Sequence, residues 1–223
     1  MINIKSLYME FSYFKQLIPK LKEIILPGLK AQLPMASVKR NQVIKHKIKL
    51  TFRTNKASVL ICVYKNNLGK ACFALIERSE DNSVHSGQVC LPGGKIEKSD
   101  GSNWFTAIRE TNEEIGLNVN KSNFVKELSS IYIPPSNFLV YPYLASYDIT
   151  PSFKINNREV KKVFGVSLSS LLDEKSVVSV DITNHYMNEK VVPAYKFDQQ
   201  IVWGATAMIL SEFKFLLKQL LNN

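Results

Sequence analysis

Two short apolar runs rich in strand formers, ASVLICVY (residues 57–64) and ACFALIE (71–77), flank KNNLGK, whose Asn-Asn pair and glycine suit a tight turn. They read as the two arms of a β-hairpin, and whatever else the chain does must be built around the sheet they begin. FVKELSSIYI (124–133) and FLVYPYLASYDI (138–149), on either side of Pro134-Pro135-Ser136-Asn137, read as two more strands, with VVPAYKFD and IVWG as late ones. GATAMILSEFKFLLKQLL closes the chain as an amphipathic helix with Ile209, Phe213, Leu216, Leu217 and Leu220 as its buried stripe. Residues 9–26 place Phe11, Phe14, Leu17, Ile18, Leu21 and Ile25 at helical spacing around Pro19, which predicts a kinked helix or two short ones, stopped by Pro27-Gly28. Strands interrupted by a few helices predict an α/β fold, a mixed sheet sandwiched by helices.

The chain has 223 residues, enough for one sizeable core plus an appendage. Its net charge of +10 is uneven: residues 1–56 hold 12 Lys/Arg against 2 Asp/Glu, leaving 17 of each for the remainder. The expected organisation is therefore a basic helical arm and connector over residues 1–50, followed by a main domain over 51–223. A basic arm suits a polyanion. The stretch VKRNQVIKHKIKLTFRTNK lacks regular aromatic interleaving, however, so a solvated arm is favoured and nucleic acid is not expected as a partner. No run of about 18 apolar residues is present, and the N-terminus lacks the apolar segment and small-residue cleavage site of a signal peptide. A soluble cytoplasmic protein with no membrane partner is expected. Cys62, Cys72 and Cys90 are odd in number and lack CxxC spacing, which argues for buried free thiols rather than disulfides or zinc.

The chemistry concentrates in LPGGKIEKSDGSNWFTAIRETNEEIGL (91–117). On a helix, Glu113 and Glu114 lie 60° and 40° to either side of Glu110, so three carboxylates share one narrow face. Trp104, Ile108, Thr111 and Ile115 form the opposite stripe, suited to packing on a sheet, and Gly116 supplies the stop. Like charges so close raise one another's pKa unless a cation neutralises them, and hard ions such as Mg²⁺ take oxygen ligands. The adjoining Gly93-Gly94 lets the backbone come close to a ligand. Arg109, four residues before Glu113 and within reach of Asp100, can orient the cluster. Gly93-Gly94-Lys95 is not a phosphate-binding P-loop, since neither Ser nor Thr follows and the upstream glycine is missing.

This segment resembles the signature of the Nudix hydrolases: Gly94, then Asp100, then Arg109-Glu110-Thr111-Asn112-Glu113-Glu114-Ile115-Gly116-Leu117. It departs in having Asp100 for the usual Glu, eight residues rather than seven before Arg109, and Thr111 in an apolar position. The first two departures also resemble the coenzyme A pyrophosphatase branch, whose upstream motif is matched by Leu75, Arg78-Ser79, Gly87 and Pro92-Gly93-Gly94. The chain departs from that motif at Ala74, Ile76, Leu91 and Ser83, the last standing where the branch has a second arginine. YIPPSNFLVYPYLA and NREVKKVFGVSLSSLL are similar to the same branch, extending the resemblance over roughly residues 50–215.

The resemblance implies a Nudix-type α/β/α sandwich and a metal-dependent pyrophosphohydrolase acting on coenzyme A or its thioesters, releasing 3',5'-ADP and 4'-phosphopantetheine. ADP-ribose, NADH or a nucleoside triphosphate are the alternative substrates, and a non-catalytic nucleotide-binding module is the alternative role. Mg²⁺ or Mn²⁺ is the implied cofactor. Glu110, Glu113, Glu114 and the Gly93 carbonyl are the implied ligands, with Glu113, Glu114 and Arg109 counted in the catalytic machinery and Asp100 holding the cluster. Glu159, in NNREVKK, is the candidate general base or last ligand. Arg78, Ser79, Gly87 and Gly94 are the candidate contacts to a small-molecule nucleotide substrate, and a guanidinium such as Arg78 grips phosphate in a fork. His85 could line the pocket, Trp104 and Trp203 belong to the core, and a homodimer is the family-level expectation.

Overall fold

The computed structural model describes residues 9–38, 51, 53–80, 86–182 and 191–222. The expected hairpin is present: β1 (Asn55–Lys65) runs antiparallel to β2 (Ala71–Arg78), with Val63 opposite Phe73. On its other side β1 lies parallel to β7 (Phe138–Tyr147), the longest pairing in the protein, and β7 carries β5 (Phe124–Glu127) and β6 (Ile131–Ile133) antiparallel at its far edge. Two short strands, β3 (Val89–Cys90) and β4 (Gly93–Lys95), pair with β2 and β1 and frame the glycine loop. β8 (Val160–Ser167) completes an eight-stranded mixed sheet by pairing antiparallel with β2. A second, three-stranded sheet is made by β9 (Val177–Asp181), β10 (Val191–Phe197) and β11 (Gln200–Trp203).

Alternation along β1 sends side chains into two separate cores, because successive residues of a strand point to opposite faces. Ile61 and Val63 join one, together with helix α1 (Phe11–Glu23) and the C-terminal helix α5 (Gly204–Leu221). Leu60 and Cys62 join the other, under helix α3 (Asn103–Ile115) through Ala107 and Ile115. The main sheet is thus covered on both faces, an α/β/α sandwich. The central β1 reads as an almost unbroken apolar run for that reason.

The structure differs from expectation around the N-terminus. Of the two arrangements expected for residues 9–26, the single helix is the one present, over residues 11–23 with the exposed Pro19 in its interior. Its stripe Phe11, Phe14, Leu17 and Leu21 is buried in the same core as Phe73 and Phe213, so this helix is part of the body rather than an appendage. Beyond it, α2 (Leu29–Gln32) is locked down by Glu212 of α5. The fully buried Glu212 carboxylate accepts from the Gly28 N–H (3.2 Å), Gln32 Nε2 (3.1 Å), the Ser129 N–H (3.1 Å) and Ser129 Oγ. A boundary near residue 50 falls next to residues 39–50, which lie outside those described, as does most of the basic stretch there. Among the described residues no helix is long and apolar enough to cross a membrane.

Candidate active site

Helix α3 begins where Ser102 accepts the Phe105 N–H and ends where Gly116 turns left-handed at a φ of 68°. The strand-turn before it is tied to β1. Gly93 pairs with Val59 and Gly94 with Ser58, and the Gly93 φ of 145° is one that L side chains rarely adopt. A Cβ on Gly93 would lie 2.3 Å from the Ser58 carbonyl oxygen, and one on Gly94 would lie 2.4 Å from the Glu110 carboxyl carbon. Both glycines therefore permit close approach: Gly93 to the sheet backbone, Gly94 to a site carboxylate.

Asp100, Glu110, Glu113 and Glu114 are held in different ways. Asp100 and Arg109 form a two-pronged pair, with Nε–Oδ1 at 2.6 Å and Nη2–Oδ2 at 3.1 Å, and Asp100 also accepts from Thr106 Oγ1 (2.7 Å) and the Glu97 N–H (2.9 Å). The Arg109 hydrogen bond is the main reason the Asp100 carboxyl stays well below the usual carboxylate range, and the same pair raises the Arg109 guanidinium above its own. Arg109 Nη1 then reaches Glu110 Oε1 and Glu113 Oε2, both at 3.0 Å, while Nη2 donates to the Lys95 carbonyl (3.2 Å). Arg109 is thus a clasp joining the glycine strand, the Asp100 turn and two helix carboxylates. Glu113 is exposed, whereas Glu110 is largely covered.

Glu114 is buried, 1% exposed, and accepts the Gly93 N–H at 2.8 Å; Arg78 Nη1 stands 3.5 Å from its other oxygen. Burial pushes its pKa up to about 8, with the Gly93 hydrogen bond and Arg78 opposing the rise and Glu110 and Glu159 adding to it. Glu110 is also raised, chiefly by desolvation, against the pull of Arg109. Two desolvated carboxylates without sufficient counter-charge call for a cation.

Glu159 enters from the turn before β8, near enough to act on both Glu110 and Glu114 electrostatically. It precedes a strand, and its own carboxylate accepts from Asn156 Nδ2 at 3.1 Å. Ser79 braces that turn, its N–H donating to the Glu159 carbonyl (2.9 Å) and its Oγ to the Asn157 carbonyl (3.4 Å). The Asn156 N–H in turn donates to the Glu114 carbonyl, so the turn is bolted to the end of α3. Gly87 stands in a turn at a φ of 66°, with no recorded tie to the carboxylates among the described residues. His85 and Ser83 lie outside the described residues. Trp104 packs edge-on against Phe124 and Tyr143, as a core residue would.

Sequence reasoning missed Cys90. Its thiol hydrogen-bonds to Arg78 and feels the charge of Glu114, and burial pushes its pKa up to about 12, which keeps it neutral beside the cluster. No spacing rule points to it. Thr106, which buttresses Asp100, was likewise hidden, although its position six residues after Asp100 and four after the Ser102 cap is regular enough to have been noticed.

The donor set fits a divalent cation in kind: hard carboxylate oxygens, desolvated, beside a strand that approaches them closely. As the side chains stand, no three His, Cys, Asp or Glu groups among the described residues converge enough to share one ion. The physical reason is that Arg109 draws Glu110 and Glu113 to itself while Gly93 and Arg78 hold Glu114.

Comparison with known proteins agrees with this geometry. The NUDIX domain family matches residues 54–183. The chain is similar to a protein described as a probable Nudix hydrolase in Schizosaccharomyces pombe, 32% identical over 161 residues, covering 72% of this chain and 55% of that one. It is also similar to a peroxisomal coenzyme A diphosphatase of Caenorhabditis elegans, 32% identical over 155 residues, covering 69% of this chain and 64% of that one. The chain therefore spans between half and two thirds of these relatives' lengths. Among solved structures, a MutT/nudix family protein from Enterococcus faecalis aligns with a TM-score of 0.54 over 84% of this chain and 72% of that one, at 16% identity, a likeness of fold.

Proposed function

The chain belongs to the Nudix hydrolase family, and on that premise we propose that it is a metal-dependent pyrophosphohydrolase whose substrate is coenzyme A or a coenzyme A thioester. The observation that carries the catalytic part is the desolvated, cation-deficient pair on α3, Glu110 clasped by Arg109 and Glu114 held by the Gly93 N–H of the glycine strand. Glu110, Glu113, Glu114 and the Gly93 carbonyl would hold Mg²⁺ or Mn²⁺. When bound, such an ion neutralises pyrophosphate oxygens and lowers the pKa of an attacking water.

The chain's own residues have distinct tasks. Arg109 fixes the direction of Glu110 and Glu113, and Asp100 fixes Arg109. Arg78, whose guanidinium lies 3.5 Å from Glu114, restrains that carboxylate and is placed to meet a phosphate oxygen. Glu159 is the candidate for receiving the proton of the attacking water, held for this by Asn156 and by the Ser79 brace. Water's oxygen joins one phosphorus, the bridging P–O bond breaks, and the other phosphate leaves with the bridging oxygen.

The coenzyme A assignment is supported by the similarity to the C. elegans coenzyme A diphosphatase and by Arg78-Ser79, Gly87 and Pro92-Gly93-Gly94 in register with the branch motif. Cys62 and Cys72 are buried and Cys90 half-buried, all three as free thiols, which suits a reducing compartment such as the cytoplasm. The test is product analysis with the purified chain and Mg²⁺ or Mn²⁺, offering coenzyme A, ADP-ribose, NADH and dGTP in parallel. Preferential release of 3',5'-ADP from coenzyme A is the expected result. Turnover of a different substrate would keep the chemistry and overturn the substrate, and absence of turnover on all four would overturn the catalytic reading.

A further inference from the structure

β1 carries one buried residue that core packing does not explain. Strand alternation sends Leu60, Cys62 and Tyr64 under α3 while Ile61 and Val63 face the core of α1 and α5, and the same alternation puts Ser58 under α3. Ser58 is 0% exposed, yet its Oγ has no hydrogen-bond partner among the described residues. Buried hydroxyls are nearly always paired, with protein or with ordered water. Alanine would fill the same place without desolvating a hydroxyl, so the serine calls for a polar partner on the α3 side of the sheet.

The strand register points to that partner. Ser58 stands directly opposite Gly94 in β4 and beside Tyr141 in β7. Opposed residues of an antiparallel pair point to the same face, with Cβ positions about 5 Å apart. The Gly94 Cβ position lies 2.5 Å from Glu110 Oε2 and 2.7 Å from Oε1, so Glu110 comes down onto the face that Ser58 shares through the space a side chain on Gly94 would fill. Hydroxyl and carboxylate are thus about one water apart. Glu110 also lacks a second tether. Asp100 accepts from Arg109, Thr106 and the Glu97 N–H, and Glu114 is held by the Gly93 N–H and Arg78. The partner of Glu110 among the described residues is the Arg109 Nη1 that Glu113 shares.

We propose that Ser58 is a positioning residue for Glu110, its hydroxyl donating through one buried water to the carboxylate and holding it from the sheet while Arg109 holds it from the helix. Outer partners of this kind fix the direction in which a ligating carboxylate presents its oxygens, and losing one costs on the order of 10–100-fold in metal affinity. The role rests on the hydrolase reading, because it directs Glu110 toward the Mg²⁺ or Mn²⁺ that reading requires.

The experiment is Mn²⁺ binding to the full chain, read from the electron paramagnetic resonance signal of free Mn²⁺, for the wild type, Ser58→Ala and Ser146→Ala, with thermal denaturation of each in the absence of metal. Ser146 is the control, a buried hydroxyl on β7 that also has no partner among the described residues but faces the opposite core, in register with Val63. Ser58→Ala is expected to weaken Mn²⁺ binding at least about tenfold, with a melting temperature within about 4 °C of the wild type, while Ser146→Ala leaves Mn²⁺ binding unchanged. Unchanged affinity in Ser58→Ala would overturn the role, as would an equal loss in Ser146→Ala, which would mark the effect as one of core packing. A Ser58→Ala chain that melts far below the wild type would also overturn it, by making the hydroxyl a prop of the fold. A wild type that leaves the free Mn²⁺ signal undiminished at about millimolar ion would overturn the metal reading itself, and the role of Ser58 with it.

Discussion

Replacing Gly94 by alanine separates the site from the fold. The added Cβ would lie 2.4 Å from Glu110 Cδ and 2.5 and 2.7 Å from its two oxygens, where ordinary contact begins at roughly 3.5 Å. The carboxylate must therefore retreat by about 1 Å. Because it is the far end of a flexible side chain, the retreat costs the fold little, and the melting temperature should move by no more than about 4 °C. Displacing a group of the active site by 1 Å costs on the order of 10²-fold in rate, or about 2.7 kcal/mol of transition-state stabilisation. The neighbouring Gly93→Ala is the contrast. Its Cβ would meet backbone, the Ser58 carbonyl oxygen at 2.3 Å and Val59 Cα at 2.6 Å, at a φ of 145°. β1 and β4 cannot part without unmaking the sheet, so this variant should lose folded protein. The assay is kcat on the best substrate alongside thermal denaturation for both variants. A Gly94→Ala enzyme that melts normally and keeps wild-type kcat would refute the assignment of Glu110 to the reacting centre.

Three further outcomes are expected. Glu114→Gln should abolish turnover by several orders of magnitude while the protein melts at the same or a higher temperature, since a desolvated charge is removed and the Gly93 N–H keeps an acceptor; near-normal kcat would remove Glu114 from the metal site. Glu212→Ala leaves the N–H groups of Gly28 and Ser129 without their acceptor and the Gln32 amide with only the Ser129 carbonyl, and should cost about 3–5 kcal/mol in urea denaturation; a loss below about 1 kcal/mol would show that α2 is not held by this carboxylate. Lys214 sits buried over the Tyr195 ring, donating to the Asp173 carbonyl, and burial lowers its pKa to about 8 from 10.5. Between those values the unfolded chain binds more protons than the folded one, so this residue's contribution to stability rises with pH. Relative to Lys214→Met, which cancels the titration of every other group, the wild type should gain roughly 1 kcal/mol from pH 7 to 9. Parallel stability curves for the two proteins would contradict it.

How far the sequence could be read depended on whether the signal was local. The glycine loop and the α3 face were legible because helical geometry alone brings Glu110, Glu113 and Glu114 together, and Arg109 lies within one turn of Glu113. The strands β1, β2, β7 and β10 were legible from β-branched and aromatic content. β8 was not, because KKVFGVS mixes charge with a glycine at an open edge and shows no clean alternation. β9, VVSVD, was passed over although its pattern of valines is strand-like. Helix α1 announced its apolar stripe, but what the stripe packs against is decided by residues some 60 to 200 positions away, Phe73 and Phe213 among them. Glu212 could not be told from a solvated helix glutamate, since its four donors come from Gly28, Gln32 and Ser129. The placing of Cys90 against Arg78 was equally non-local.

The arrangement of charge argues that the acidic face of α3 exists for a ligand rather than for the fold. Five carboxylates, Asp100, Glu110, Glu113, Glu114 and Glu159, gather around two guanidiniums. Arg109 commits Nε and Nη2 to Asp100, with Nη2 also reaching the Lys95 carbonyl, so what it offers Glu110 and Glu113 is a shared Nη1 at 3.0 Å. Arg78, at 3.5 Å, compensates Glu114 only in part, which is why burial still raises that carboxyl. A fold seeking stability alone would place a neutral or apolar side chain at position 114, because an incompletely paired buried charge costs several kcal/mol. Arg109 and Asp100 instead pre-set the directions of the carboxylates while leaving their charge unspent. That deficit is what a divalent cation would satisfy, and it makes the bound ion a stabiliser of this face as well as a reactant's partner.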